Sequence, residues 1–275
     1  MASPSGFPPP AIVVVVPTLD SYALLPRLVA SLQQQTWPHW SVLFVDGPSQ
    51  PAHRRWIQDL CGRDPRFQWR PQDPTEPGIF GAMNQGFALA TPADTWLLFW
   101  GSDDWAASHQ VFETLARGLQ TAWSRGRDPD LLVATGRYVE SLAADAGTTT
   151  TPTLRRRSVF RWRHSYRRSL FLGSTPPHQA TLIGPGARRH LSRYADGFLL
   201  SADLDYFLQL SRWSDLEVEC MDLELVHMQS GGVSGRESRR RFQEVRRAYG
   251  RAFGWLWWLP YGLRYAQRLA SLFSP

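Results

Sequence analysis

An unbroken run of β-branched residues near the start of the chain constrains the fold more than any other feature. Residues 12–16 read Ile-Val-Val-Val-Val, with no alternation of apolar and polar positions. A strand buried on both faces has this pattern, and such strands lie inside parallel sheets that helices cover on both sides. Pro17 and Thr18 end the run. The sequence therefore predicts a central strand of an α/β sheet at 11–16.

The following residues alternate between apolar, strand-like runs and segments whose apolar residues have helical spacing. This alternation is typical of an α/β fold with one central, mainly parallel sheet flanked by helices. A further helix is predicted at 201–213, and the Thr- and Arg-rich stretch 145–158 is predicted to be a mobile loop. The other predicted strands are 40–45, 67–69, 95–100 and 131–135, and the predicted helices are 22–35, 51–61, 79–90 and 108–123.

Composition changes at both ends of the chain. Residues 1–10 are rich in Pro and Ser, so we expect a flexible N-terminus followed by one domain over 11–235. Residues 236–275 are rich in Arg and then in aromatic side chains, and Pro260 and Arg264 interrupt the apolar run. This pattern predicts an amphipathic helical segment that lies at a membrane surface. The alternative is a helical tail that packs on the protein's own core.

Charge and cysteine content limit the partners and the compartment. The 275 residues include 30 Arg and no Lys, and the formal net charge is +6. A guanidinium can bond two phosphate oxygens at once, so the charge favours nucleotides or anionic lipid as partners. Cys61 and Cys220 lie far apart and form neither a disulfide framework nor a zinc site. We therefore expect a cytoplasmic location, at the inner face of the plasma membrane if the tail binds lipid.

Carboxylates recur where predicted strands end. Asp46 follows the strand at 40–45, and Asp103 and Asp104 follow the strand at 95–100. Open parallel sheets bind ligands at the carboxyl edge, so acids on neighbouring strands would converge on one cleft. A single strand-end Asp is more often a turn former or a helix cap, and only the combination favours a site. Such acids, together with substrate phosphates, suit Mg²⁺ or Mn²⁺.

Five short motifs occur in a fixed order between residues 15 and 104. They are Val15–Asp20, Leu32–Thr36, Leu43–Ser49, Gly78–Gly86 and Phe99–Asp104. Together they resemble the successive motifs of family 2 glycosyltransferases with the GT-A fold, and Gly78–Gly86 resembles a subgroup acting on cell-surface polysaccharides. The resemblance implies a nucleotide-sugar donor, a glycan or lipid-linked acceptor and an inverting single displacement.

The resemblance also implies roles for individual residues at the donor side. Thr18 and Asp46 would contact the base and ribose, and Asn84 would lie near the donor. Asp103 would match the metal-binding acid of the family's Asp-x-Asp triplet, whose first acid is replaced here by Gly101. The donor-binding set implied in this way comprises Pro17, Thr18, Asp46, Asn84, Ser102 and Asp104.

Further motif positions are implied on the acceptor side. Asp203 resembles the family's catalytic base, although Ala202 replaces the usual first acid of that pair. The alternative for Asp203 is a helix-terminal acid that interacts with the helix dipole. His178 and Gln179 would line the acceptor side. His227 would belong to a segment that closes the site, with a role as third metal ligand as a further option.

Two other classes of protein compete with this interpretation. A nucleotidyltransferase would carry a Gly-rich, basic loop after the first strand, and the residues from Pro17 to Asp20 contain none. A non-catalytic RNA-binding protein would expose aromatic side chains on one sheet face. The strands here are continuously apolar and therefore buried, so we expect no nucleic-acid partner. A glycosyltransferase homologue that binds donor without turnover is also consistent with Gly101 and Ala202.

Overall fold

The structure is a computed structural model that describes residues 8–90, 92, 94–140, 153–158, 165–229 and 238–270. Its strands are β1 (Ile12–Thr18), β2 (Trp40–Asp46), β3 (Phe67–Pro71), β4 (Trp96–Phe99), β5 (Trp105–Ala106), β6 (Leu131–Glu140), β7 (Thr153–Ser158), β8 (Thr181–Ile183) and β9 (Val218–Gln229). Its helices are α1 (Leu25–Gln33), α2 (Pro51–Arg63), α3 (Gly78–Leu89), α4 (Val111–Ser124), α5 (Tyr166–Phe171), α6 (Pro185–His190), α7 (Ala202–Leu210), α8 (Ser238–Phe253) and α9 (Trp258–Ala270).

One sheet runs through the molecule in the order β3-β2-β1-β4-β8-β6-β9-β5, and β7 pairs with β6 off this path. Strands β3, β2, β1 and β4 are parallel, as are β6 and β9. Strand β8 is antiparallel to both β4 and β6, and the short β5 is antiparallel to β9. The predicted α/β architecture, with a central sheet flanked by helices and a helical C-terminal region, is confirmed.

The all-apolar sequence of β1 follows from its position in the sheet. Val14 and Val16 pack in the core cluster that contains α1, whereas Val13 and Val15 pack in the cluster that contains α3. Helix α3 comes close enough because residue 86 is Gly: a Cβ there would lie 2.4 Å from a Val15 methyl carbon. A polar side chain on either face of β1 would be buried without water, which explains the absence of alternation.

Two expectations about the sheet need correction. Strands β2 and β4, which lead to Asp46 and Asp103, are not neighbours, because β1 lies between them. The order of the strands along the chain therefore does not give their order in the sheet. The stretch 153–158 is not a loop but strand β7, paired antiparallel with β6. Its first residue, Thr153, is β-branched and favours a strand, and pairing with β6 satisfies the backbone of β7. The remainder of the predicted loop, 145–152, lies outside the described residues.

The C-terminal region packs on the domain through α8. Val245, Ala248 and Tyr249 are buried in the same core cluster as Phe207 of α7. Helix α8 therefore packs on the core, which is the alternative to an amphipathic segment at a membrane surface. A position of the tail at a membrane stays a prediction. No helix in the described ranges combines the length and the apolar character that a membrane crossing needs. The proposed boundary near 236 stays a prediction.

Candidate active site

Asp46, at the end of β2, lies in a cluster of polar side chains, two of which donate hydrogen bonds to it. Thr18 Oγ1 donates to Asp46 Oδ1 at 3.0 Å, and Ser49 Oγ donates to the same oxygen at 2.6 Å. His53 Nε2 lies 3.1 Å from that oxygen and is fully buried. We call Thr18, Asp46, Ser49 and His53 the Asp46 cluster. Asp46 is only 2% exposed. Its Oδ2 has no hydrogen-bond partner among the described residues, and the nearest cation, Arg54 Nε, is 3.8 Å away.

The loops that follow β1 and β2 are tied together next to this cluster. The Asp20 N–H donates to Ser49 Oγ at 3.0 Å, and the Gln50 N–H donates to Asp20 Oδ1 at 2.7 Å. Asp20 adopts a left-handed conformation with φ of 49°, which Asp tolerates better than most residues. Ser49 thus connects Asp46 with Asp20, and the two loops form one fixed edge. The motif resemblance gave neither Ser49 nor His53 a role.

The turn after β4 contains two acids in different environments. The Gly101 N–H donates to Asp104 Oδ2 at 2.6 Å, and Asp104 is only 3% exposed. Burial raises the pKa of Asp104 well above its ordinary value, opposed by the Gly101 bond and assisted by the charge of Asp103. The Asp104 carboxylate therefore points into the turn, and its assignment to donor binding stays a prediction.

Asp103 keeps a partly exposed carboxylate at the same turn. Its Oδ1 lies 2.7 Å from the place where a Cβ on Gly101 would be. The glycine that departs from the family pattern therefore makes room for Asp103. Burial raises the pKa of Asp103 above its ordinary value. Within the described part of the chain, no three His, Cys, Asp or Glu side chains form a metal-holding group. Asp103 is the acid of this turn whose partly exposed carboxylate could contribute to a cation site.

Pro17 and Ser102 are partners of each other. Ser102 Oγ donates to the Pro17 carbonyl oxygen at 3.2 Å and accepts from Ser21 Oγ at 2.8 Å. These bonds fix the turn against the end of β1, next to Thr18. The Asp46 cluster and the Asp103 turn therefore lie at the same carboxyl edge, on either side of β1, where parallel sheets bind ligands.

Asn84 is engaged at both ends of its amide. Its Nδ2 donates to the Tyr194 carbonyl oxygen at 3.2 Å, and the Tyr194 N–H donates to Asn84 Oδ1 at 2.7 Å. Asn84 thereby fixes the segment that leads into α7. Its position near the donor stays a prediction.

Asp203 lies in the first turn of α7, and its charge acts on His178 and Tyr194. His178 Nε2 is 2.7 Å from the Tyr194 hydroxyl, and the His178 ring stacks on Phe99 with centroids 5.7 Å apart. Burial lowers the pKa of His178, and the negative charge of Asp203 opposes that shift. Burial also raises the pKa of Tyr194 well above its ordinary value, and Asp203 adds to that shift. Both groups therefore lie within reach of the charge of Asp203, and we call Asp203, His178 and Tyr194 the Asp203 wall. The motif resemblance did not identify Tyr194.

This wall is connected directly to the Asp103 turn. Phe99 is the last residue of β4, and the turn begins two residues later. Trp100 Nε1 donates to the Gln179 carbonyl oxygen at 2.8 Å, which joins β4 to the segment that carries His178. The predicted donor and acceptor sides therefore meet at the end of β4.

His227 is paired with neighbouring side chains on β9 and β5. Its Nε2 lies 2.8 Å from Glu224 Oε1, and Glu224 also accepts from Arg137. The His227 ring packs edge-on against Trp105, with centroids 5.6 Å apart. These contacts occupy His227 within the protein. Among the described residues, His227 belongs to no group of three or more metal-ligating side chains. Residues 230–237 of the predicted closing segment lie outside the described ranges.

The sheet and helices described above are those of GT-A glycosyltransferases. S. aureus TarS 1-349 in complex with UDP-GlcNAc superimposes with a TM-score of 0.62 at 14% identity, over 88% of this chain and 67% of that one. The mannosyltransferase PcManGT from Pyrobaculum calidifontis, in complex with GDP-Man and Mn²⁺, gives a TM-score of 0.59 at 14% identity, over 96% and 71%. Identity this low establishes a shared fold alone.

Part of the chain is also similar in sequence to one family. Residues 13–124 match the family model described as Glycosyl transferase family 2. A PGL/p-HBAD biosynthesis glycosyltransferase of Mycobacterium tuberculosis (strain ATCC 25618 / H37Rv) is 34% identical over 108 residues, 39% of this chain and 40% of that relative. The match thus spans about two fifths of the curated relatives' length. The resemblance to family 2 glycosyltransferases is confirmed; the family match contains Asp46 and Asp103 and ends before Asp203.

Proposed function

We propose that this protein transfers a sugar from a nucleoside-diphosphate-sugar donor to a hydroxyl group of a glycan or lipid-linked acceptor. The observation that carries the proposal is the meeting of three groups at one sheet edge: the Asp46 cluster, the Asp103 turn and the Asp203 wall. Sugar transfer requires a site for the nucleotide, stabilisation of the leaving diphosphate and a base for the acceptor. The Asp46 cluster would bind the nucleotide, the Asp103 turn would stabilise the leaving diphosphate, and the Asp203 wall would provide the base.

The Asp46 cluster is the proposed site for the nucleoside. Asp46 Oδ2 is buried and has no hydrogen-bond partner among the described residues, so an N–H or hydroxyl of the nucleoside that reached it would supply the missing hydrogen bond. Thr18 and Ser49 use the other carboxylate oxygen and fix its orientation. The carboxylate is therefore preorganised to accept a hydrogen bond from the donor.

Asp103 is the proposed ligand of Mg²⁺ or Mn²⁺. A divalent cation commonly binds through one or two carboxylates plus substrate phosphates, which matches one accessible carboxylate in this turn. Such a cation would stabilise the charge that develops on the leaving diphosphate. Ser102, fixed by Pro17 and Ser21, holds the turn in place against β1.

Asp203 is the proposed general base of an inverting single displacement. Its carboxylate would accept the proton of the acceptor hydroxyl during attack on the sugar, a contribution of roughly 10²–10⁴-fold. Burial lowers the pKa of His178 and keeps its imidazole neutral. It can therefore hydrogen-bond the acceptor without taking up the proton that Asp203 is proposed to accept. The Tyr194 hydroxyl holds the ring in place.

Substitution of Asp203 by Asn tests this assignment. We expect transfer to fall by roughly 10²-fold or more, while calorimetry gives an unchanged affinity for the nucleotide-sugar donor. Asp59→Asn, which removes an exposed carboxylate from α2, is the matched control and should retain full transfer. Turnover of Asp203→Asn near the wild-type value would exclude Asp203 as the base.

A second part of the proposal places the turn between α8 and α9 at an anionic membrane surface. Trp255 is 80% exposed and Trp258 is 56% exposed. Arg246 of α8 is also exposed, and its guanidinium lies 4.9 Å from the centre of the Trp257 ring, next to Trp258. Trp and Arg both favour the membrane interface, and the charge of Arg246 matches a negative lipid surface.

Vesicle sedimentation tests this surface. Replacement of Trp255 and Trp258 together by Ala should reduce binding to phosphatidylserine-containing vesicles, and added salt should weaken wild-type binding. Leu89→Ala, which truncates an exposed apolar side chain on α3, is the control. Equal sedimentation of the double variant and the wild type would exclude the surface.

A further inference from the structure

Glu244, in the middle of α8, binds the backbone that leads into α7. The Leu199 N–H donates to Glu244 Oε1 at 3.0 Å, and the Leu200 and Ser201 N–H groups donate to Oε2, each at 2.9 Å. The carboxylate is buried. One side chain therefore satisfies three consecutive amides of a segment more than 40 residues earlier in the chain.

This contact replaces a local helix cap. Ser201 is the N-cap residue of α7, and its side chain makes no capping hydrogen bond. In a capping box, the residue three positions after the N-cap supplies the carboxylate that bonds the N-cap amide. That residue is Leu204, which cannot do so. Glu244 bonds the Ser201 amide instead, from another helix.

Two Arg side chains on the same face of α8 extend the contact on both sides of Asp203. Arg247 Nη1 donates to the Gly197 carbonyl oxygen at 2.9 Å. Arg251 Nη1 lies 2.7 Å from Asp205 Oδ2, and Asp205 is almost fully buried. Glu244 and Arg251 are seven residues apart, about two helical turns, so both face α7. Side chains of α8 thus bind the chain both before and after Asp203.

We propose that Glu244 is a positioning residue for Asp203. It fixes the backbone at the start of α7, so that the Asp203 carboxylate is directed at the acceptor beside His178. The inference rests on the proposed role of Asp203 as general base. Catalytic geometry is sensitive to small displacements, and a shift of about 1 Å can lower a rate by about a hundredfold. Loss of the three bonds frees this segment of backbone to move.

Steady-state kinetics of two variants test the proposal. Glu244→Ala should lower kcat by on the order of tenfold to a hundredfold, with the donor KM within about twofold of the wild type. Glu244→Gln retains one acceptor oxygen and should recover part of the lost kcat. Gln243→Ala, at the preceding exposed position of α8, should match the wild type. Rates are normalised to the number of donor-binding sites counted by calorimetry, so that misfolded protein does not count as slow enzyme.

The outcomes separate this inference from the proposed function. If Glu244 only supported the fold, both variants would lose thermal stability and binding sites while kcat per site stayed at the wild-type value, which would overturn the inference. Should Glu244→Ala fail to fold, Glu244→Gln decides alone, and a normal kcat per site would again overturn it. If Asp203→Asn itself retained turnover, the base assignment would fail first, irrespective of Glu244.

Discussion

Asp103 occupies the space beside Gly101: its Oδ1 lies 2.7 Å from the point where a Gly101 side chain would begin. The two positions are alternatives, since an acid at 101 and the present conformation of Asp103 cannot coexist. The first acid of the family's Asp-x-Asp pattern is missing here, and the carboxylate of the second acid, Asp103, occupies the space where the first side chain would lie. A single carboxylate remains accessible in the turn.

Gly101→Ala should displace the Asp103 carboxylate and weaken metal-dependent donor binding by about tenfold, or ~1.4 kcal/mol. Gly101→Asp, which restores the acid, should weaken it as well, because the added side chain meets Asp103. Titration calorimetry of donor with and without Mn²⁺ measures the effect. Gly62→Ala is the control, because a Cβ at this helical position meets nothing within 4 Å. Unchanged metal-dependent affinity of Gly101→Ala would mean that Asp103 does not act from this position.

Ser49→Ala should lower the free energy of unfolding by about 1–3 kcal/mol. The substitution removes the hydrogen-bond donor to Asp46 and leaves the Asp20 amide without its acceptor. We expect a weaker affinity for the free nucleoside diphosphate as well, since the Asp46 carboxylate loses one of its orienting bonds. Chemical unfolding and nucleotide titration check the two effects. Ser124→Ala, on the exposed end of α4, should change neither. Wild-type values for both quantities in Ser49→Ala would contradict the described role of Ser49.

Arg251→Ala should destabilise the protein more at pH 7.5 than at pH 5. Burial raises the pKa of Asp205 to about 6, and Arg251 opposes that rise. Because the folded-state pKa is raised, the cost of the buried charge is present above about pH 6 and disappears as the pH falls towards the unfolded-state value. Removal of Arg251 leaves this charge unpaired only where Asp205 is ionised.

We expect a loss of about 1–2 kcal/mol at pH 7.5, below the value for a fully buried pair because Arg251 is 40% exposed. Urea unfolding at the two pH values measures it. In the Arg251→Ala background, the further substitution Asp205→Asn removes the buried charge. The loss of stability should then be the same at pH 7.5 and at pH 5. An equal loss at both pH values would show that the Asp205 charge is not what Arg251 stabilises.

The parallel half of the fold was predictable because its signals are local. The run at 12–16 and the strands that end at Asp46 and Phe99 are largely apolar along their length, so their own residues indicate that they are buried. The insertion of β8 between β4 and β6 is not local, since three residues pair with strands distant in the chain. Strand β7 was likewise not predicted, because its Thr- and Arg-rich surroundings indicate a loop and the strand forms by pairing with β6.

The same distinction applies to the candidate site. Asp46 and Asp103 could be found from their positions after buried strands. Asp104 has almost the same sequence environment as Asp103, and only the path of the turn makes one buried and the other accessible. Glu244 carries no local signal, because its role depends on the packing of α8 against α7.

The central claim is tested most directly by the product released from a panel of nucleotide sugars in the presence of Mn²⁺. The account predicts that the wild-type protein releases a nucleoside diphosphate from at least one donor. This release should depend on the cation and should be lost in Asp103→Ala. Release of pyrophosphate instead, or no binding of any nucleotide sugar in the panel, would contradict it.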